Sequence, residues 1–160
     1  MATVEVTFTP LPVHVRTARL VATAVARRSG VAESLLDEVR LAVGEACSRA
    51  VEAHLRHCPG QPIRVALTDN DEQFEVVVTD AVPDTGHGVP AAAAGVDGNH
   101  AASSAGASGL GADFSADGEV PLRLPDDVGL AVIAGLADDV RIESAGAGTS
   151  VTMSWKRRTA

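Results

Sequence analysis

The segment GEACSRAVEAH, residues 44–54, sets Glu45 and Arg49 four positions apart, one helical turn, so a carboxylate and a guanidinium share a face. A carboxylate fixed on a helix can take a proton as a general base, and a guanidinium can hold phosphoryl oxygens through two parallel hydrogen bonds. The same two residues, acid before base, also make an ordinary ion pair worth about 0.3–0.5 kcal/mol on a solvated helix. Catalysis, a blocked site and a surface pair all stay open on spacing alone. Arg16 and Arg19 form a second charged pair, suited either to docking a carboxylate-bearing partner or simply to meeting water. His87, between two glycines, reads as a loop histidine. Cys47 and Cys58 are too few and too badly spaced for a zinc site or a disulfide framework and read as reduced thiols.

The chain that must position these groups has 160 residues, enough for a single domain with a sizeable core. Its hydrophobic content is 46% but its aromatic content only 2%, so that core must be built from Val, Leu, Ile and Ala. Thirteen basic against 21 acidic residues give a formal charge of -8, which argues against nucleic acid as a direct partner, because phosphate-backbone binding needs a basic surface. The opening MATVEVTFTP lacks the basic and apolar regions of a secretory leader, and no run approaches the roughly 18 apolar residues of a membrane span. The expectation is a soluble cytoplasmic protein.

Alternation of Val4, Val6 and Phe8 predicts a first strand, ended by Pro10 and Pro12. A helix follows from Val13 to Arg28, with Thr17, Leu20, Val21, Ala24 and Val25 as its apolar or small stripe and Gly30 at its end. A second helix is predicted from near Ser34, read as N-cap, with a stripe of Leu35, Val39, Val43, Ala46 and Ala50. IRVALTD and FEVVVTD read as an antiparallel hairpin across NDEQ. Residues 91–118 are mostly Ala, Gly and Ser, too small to bury much, and predict a flexible loop. DDVGLAVIAGLADDV returns to helical spacing through Leu130, Ile133, Ala134 and Leu136, and VRIES and TSVTMSW close the chain as two strands. Lys156, Arg157 and Arg158 read as a solubilising tail.

This order, with a loop before the last helix, resembles the Bergerat-type ATP-binding fold shared by sensor histidine kinases, gyrase-type ATPases and bacterial anti-sigma serine/threonine kinases. DEVRLAVGEACSRAVEAH is similar to the second helix of the anti-sigma kinases, and GLAVIAGLADDVRIES followed by GTSVTM to their closing helix and strands. The resemblance implies an α+β fold, a two-layer sandwich of a mixed, mainly antiparallel sheet on about three helices, spanning residues 1–160 as one domain. It also implies that Glu45 activates the attacking hydroxyl, and that residue 49 should be the Asn that holds magnesium against the ATP phosphates. Arg49 stands there instead; a guanidinium has no lone pair for a cation, although it could contact phosphates directly.

Two registers compete for the adenine-binding aspartate of the family's D-x-G-x-G word. Asp80 ends a strand and so sits on a rigid element, but AVP follows it; Asp84 with Gly86 and Gly88 is the literal match, four residues further on. Gly129 in DVGL keeps one of the two glycines that open the family's last helix toward the phosphates, with Asp127 in place of the other. Thr149, after Gly148, matches a G-T near the nucleotide. Arg19 matches an arginine implicated in partner contacts, with Arg16 beside it. The departures fall on metal, base and phosphates alike. The resemblance therefore implies a degenerate member: an anti-sigma factor inhibiting a stress or developmental sigma factor, relieved by a STAS-domain antagonist, with ATP turnover weakened or lost. An active serine kinase phosphorylating the STAS protein and a nucleotide-independent STAS-binding adaptor are the alternatives. Dimerisation through the first strand is a further family expectation.

Overall fold

The computed structural model describes residues 1–83 and 126–157; the expected loop at 91–118 and Asp84, Gly86, His87 and Gly88 lie outside them. Strand β1 (Ala2–Phe8) leads into helix α1 (Pro12–Arg28), and a single 3-10 turn (Glu33–Leu35) runs into α2 (Leu36–His57). Strands β2 (Ile63–Asp69) and β3 (Gln73–Thr79) follow, then α3 (Asp126–Leu136), β4 (Asp139–Ala145) and β5 (Gly148–Lys156). The predicted succession of strands and helices is the observed one. The five strands lie in the order β1-β2-β3-β5-β4, and the sheet expected to be mixed is antiparallel at all four pairings.

The β2–β3 hairpin shows why. Alternation puts Ile63, Val65 and Leu67 on one face of β2 and Phe74, Val76 and Val78 on the matching face of β3, all buried. The Asn70 side-chain oxygen accepts from the N–H groups of Glu72 and Gln73 and closes the turn. β5 adds Val151, Met153 and Trp155 to the same core. The chain's single tryptophan packs its ring 6.2 Å from that of Phe74 and donates Nε1–H to the Leu136 carbonyl at 2.8 Å, which fixes the end of α3 to the sheet.

The helices cover this face with small side chains. On α1 the buried line is Val15, Ala18, Ala22 and Ala26, one position off the expected stripe, and Leu20 is 60% exposed. The alanines win because α1 lies close against α2, where Ala42, Gly44 and Ala46 are also buried; a Leu in that seam would hold the helices apart. α1 ends as predicted, with Gly30 at φ +79 and the Val31 N–H returning to the Ala26 carbonyl. The Ser34 cap is not formed. The 3-10 turn supplies the entry, Leu35 N–H bonding to the Ala32 carbonyl, and Leu36 rather than Leu35 is buried. On α3, Ile133 is fully buried and Ala134 faces outward. The basic tail is partly structural: Arg157 Nη1 donates to Asp69 Oδ1 and to the Asn70 carbonyl, both at 3.1 Å, and its guanidinium lies against Gly30.

Candidate functional site

Helix α2 is the rail on which the candidate residues are mounted. Glu45 and Arg49 share one face, as their spacing requires, and α3 lies over that face with Gly129 against both side chains. A methyl group on residue 129 would stand 2.6 Å from Glu45 Oε1 and 3.3 Å from Arg49 Cδ, so glycine is what lets α3 come this close. No ion pair within 4 Å joins Glu45 to Arg49 among the described residues, and the surface-pair reading therefore fails. Arg49 Nε is buried and has no hydrogen-bond partner among the described residues. Burial raises the Glu45 carboxyl above its ordinary value; Arg49 and Arg19 pull against that rise and Glu52 adds to it. The result is a half-buried carboxylate more basic than usual.

A second group assembles where β3 ends and β5 begins. The pairing of Thr79 with Ser150 sets Asp80 beside Thr149: Asp80 N–H donates to the Thr149 carbonyl at 2.9 Å, and Asp80 Oδ1 accepts from the N–H groups of Thr149 at 3.1 Å and Val82 at 2.9 Å. Gly148, at φ +152, passes so close to the Asp80 carbonyl oxygen that any Cβ would overlap it. The carboxylate is thereby oriented by backbone. With about four acceptor sites on an ionised carboxylate and Oδ1 taking the two described bonds, it keeps the chemistry to accept from a base amine. Asp84, Gly86 and Gly88 lie outside the described residues.

Residues not picked out from the sequence hold this arrangement together. His54, fully buried on α2, spans from the helix to the strand end: Nδ1–H donates to the Gln61 carbonyl at 2.9 Å and Nε2 accepts the Ala81 N–H at 2.9 Å. The sign was its place four residues beyond Ala50, on the apolar stripe. Gly44 is the other, a glycine inside a long helix where it costs about 1 kcal/mol relative to alanine. The Arg19 guanidinium lies on it, so close that a Cβ would overlap Arg19 Nε. Arg19 is accordingly half-buried against α2, whereas Arg16 is exposed. Nine residues separate Glu45 from His54, roughly 14 Å along the helix axis. His54 on α2 thus ties the helix that carries Glu45 and Arg49 to the chain just after Asp80.

A family model described as a histidine kinase-like ATPase domain matches residues 8–155. The chain belongs to the histidine kinase-like ATPase domain family. Among solved structures, this histidine kinase-like ATPase domain is similar to the RsbU and RsbW domains of Rv1364c from Mycobacterium tuberculosis, with a TM-score of 0.62 and 18% identity. That match covers 100% of this chain and 34% of the other, so the domain spans about a third of the length of its structural neighbour. At that identity the likeness is one of fold. No curated protein matches. No helix among the described residues is long and apolar enough to cross a membrane.

The residues of this histidine kinase-like ATPase domain do not fit the magnesium that the resemblance implies. At position 49 a guanidinium replaces the neutral amide, with donors only and a fixed positive charge, and its Cδ packs under Gly129.

Proposed function

We propose that this histidine kinase-like ATPase domain is an anti-sigma regulator of degenerate kinase type. It binds and inhibits an RNA polymerase sigma factor, is displaced by a STAS-domain antagonist, and turns ATP over weakly or not at all. The observation that carries the reading is residue 49: a cation stands where the family resemblance calls for a metal ligand, on a helix and sheet of the expected order. The likeness in fold to a chain carrying an RsbW domain supports the regulatory class. Arg16, exposed on α1, offers a carboxylate-binding contact on an otherwise acidic protein, and the outer edge of β1 would pair with a second copy.

Co-purification from native cells is the direct test, with a sigma factor expected in the complex. Thermal unfolding with and without Mg-ATP tests the nucleotide. A working site at about 100 times its dissociation constant would add roughly 2.7 kcal/mol, and no such gain is expected. Rapid serine phosphorylation of a STAS protein, with magnesium held beside residue 49, would overturn the proposal. The rival reading, an active protein-serine kinase, draws support from Glu45, whose raised basicity suits a general base. In that reading Arg49 meets the phosphates directly, and phosphotransfer would persist when magnesium is withdrawn.

A further inference from the structure

β4 is the last strand of the sheet, paired with β5 on one side and with no strand on the other among the described residues. Bonds on the far side of β5 fix which backbone groups of β4 point outward. At the two ends of β5 the Thr149 carbonyl accepts the Asp80 N–H and the Arg157 N–H donates to the Glu72 carbonyl, so odd-numbered residues there turn toward β3 and even-numbered ones toward β4. The pairings Ala145↔Gly148, Glu143↔Ser150, Arg141↔Thr152 and Asp139↔Ser154 therefore occupy the backbone groups of Asp139, Arg141, Glu143 and Ala145. Those of Val140, Ile142 and Ser144 face out of the sheet. The side chains divide in the same way. Val140 and Ile142 lie opposite Met153 and Val151 on the core face, half-buried at its rim, while Arg141 and Glu143 stand exposed on the other face, where Asp139 contacts Arg141 Nε at 3.2 Å.

We propose that the β4 edge is a docking surface for a second copy of this chain, paired antiparallel about Ile142 so that each Arg141 meets Glu143 of the partner subunit. Charge and strand length select this register from those a twofold axis allows. Centred on Arg141, the pairing sets Arg against Arg and Asp139 against Glu143; centred on Glu143, it sets Glu against Glu. Centred on Val140 or Ser144, it uses only one end of the strand. Centred on Ile142, it uses all of Asp139–Ala145, sets Val140 opposite Ser144 and Ile142 opposite itself with the outward backbone groups bonded, and places two Arg–Glu pairs at the non-hydrogen-bonded positions, where Cα atoms stand about 4.5 Å apart. The half-buried Ile142 side chains are covered by one another in the same step. β4 and β1 are opposite edges of the sheet, so this contact is independent of any pairing at β1 and of sigma-factor or nucleotide binding.

The test is sedimentation equilibrium of the full chain as parent, Arg141→Glu, Glu143→Arg, the double variant carrying both changes, and an equimolar mixture of the two single variants. The parent is expected to associate reversibly. Each single variant should associate about tenfold or more weakly, because two attractive cross-strand pairs become two repulsive ones. The double variant and the mixture should both recover, since each again sets opposite charges face to face. Both positions are exposed, so these changes leave the core intact. Ser144→Pro tests the backbone part: it removes an outward N–H without touching the bonds to β5, and should also weaken association. Single variants that associate as the parent does, a double variant or mixture that fails to recover, or a parent that stays monomeric and takes only another protein's strand would each overturn the proposal. Pairing through β1 alone would leave every form alike and so overturn it too. A failed sigma-factor pull-down would count against the proposed function and leave this result untouched.

Discussion

Replacing His54 with leucine tests whether the end of α2 truly sets the position of Asp80. The imidazole is fully buried and carries two hydrogen bonds of 2.9 Å, one to the Gln61 carbonyl and one from the Ala81 N–H. Leucine has a similar volume, so cavity formation contributes little. Gln61 lies at the surface, where its carbonyl can regain a water partner at small cost. Ala81 is half-buried and loses its acceptor, which costs about 1–3 kcal/mol. Adding the net worth of the Gln61 bond, about 0.5–1.5 kcal/mol, puts the destabilisation at about 1.5–4.5 kcal/mol. For a chain of this size that is a fall in Tm of roughly 3–18 °C. Urea unfolding gives the free energy, and amide exchange at Ala81 gives the local effect, expected to quicken by more than that of β2. His54→Gln, which can still present an acceptor to Ala81, should recover about half. A change under about 0.5 kcal/mol in His54→Leu, with Ala81 exchange unaltered, would refute the bridge.

Other expectations follow from the same structure. Gly148→Ala should cost at least about 1–3 kcal/mol by urea unfolding, since φ is +152 and the new methyl would overlap the Asp80 carbonyl. Glu45→Gln should stabilise the protein at neutral pH. A carboxyl raised in the folded state contributes stability below its unfolded pKa and loses it as pH rises through the folded value, so the gain should vanish as pH falls below about 4.5 in paired urea titrations. Arg157→Ala should lower stability by about 1–2 kcal/mol, combining a half-exposed ion pair with Asp69 and a bond to the Asn70 carbonyl. Cys47, buried and pushed up to about 12, should react with a thiol reagent only on unfolding, whereas Cys58 should react slowly in the native state.

Much of this architecture is legible residue by residue. β2 and β3 were readable because alternating Ile63, Val65, Leu67 and Phe74, Val76, Val78 can hide one face only as strands. The helical face shared by Glu45 and Arg49 follows from the 3.6-residue repeat. The stripe of α1 was misplaced by a position because sequence reading favours bulk, and close packing against α2 favours Ala18, Ala22 and Ala26 over Leu20. Arg19 looked like a surface charge for the same reason. Nothing local to LAVGEA reveals that the glycine is there to receive a side chain from another helix. The tail arginine at 157 was likewise read without the hairpin it clasps, 87 residues earlier in the chain.

What the sequence settled alone was whatever depends on neighbours along the chain: which segments are strands or helices, and that a donor-only guanidinium occupies position 49. The tertiary structure decided what depends on distant approach. It set the helix seam that seats Arg19 on Gly44, the histidine that ties α2 to Asp80, and the glycine at 129 that lets α3 close on Glu45. Periodicity is a property of a dozen consecutive residues, whereas the charge state of a half-buried carboxylate is set by groups that only folding brings within a few ångströms.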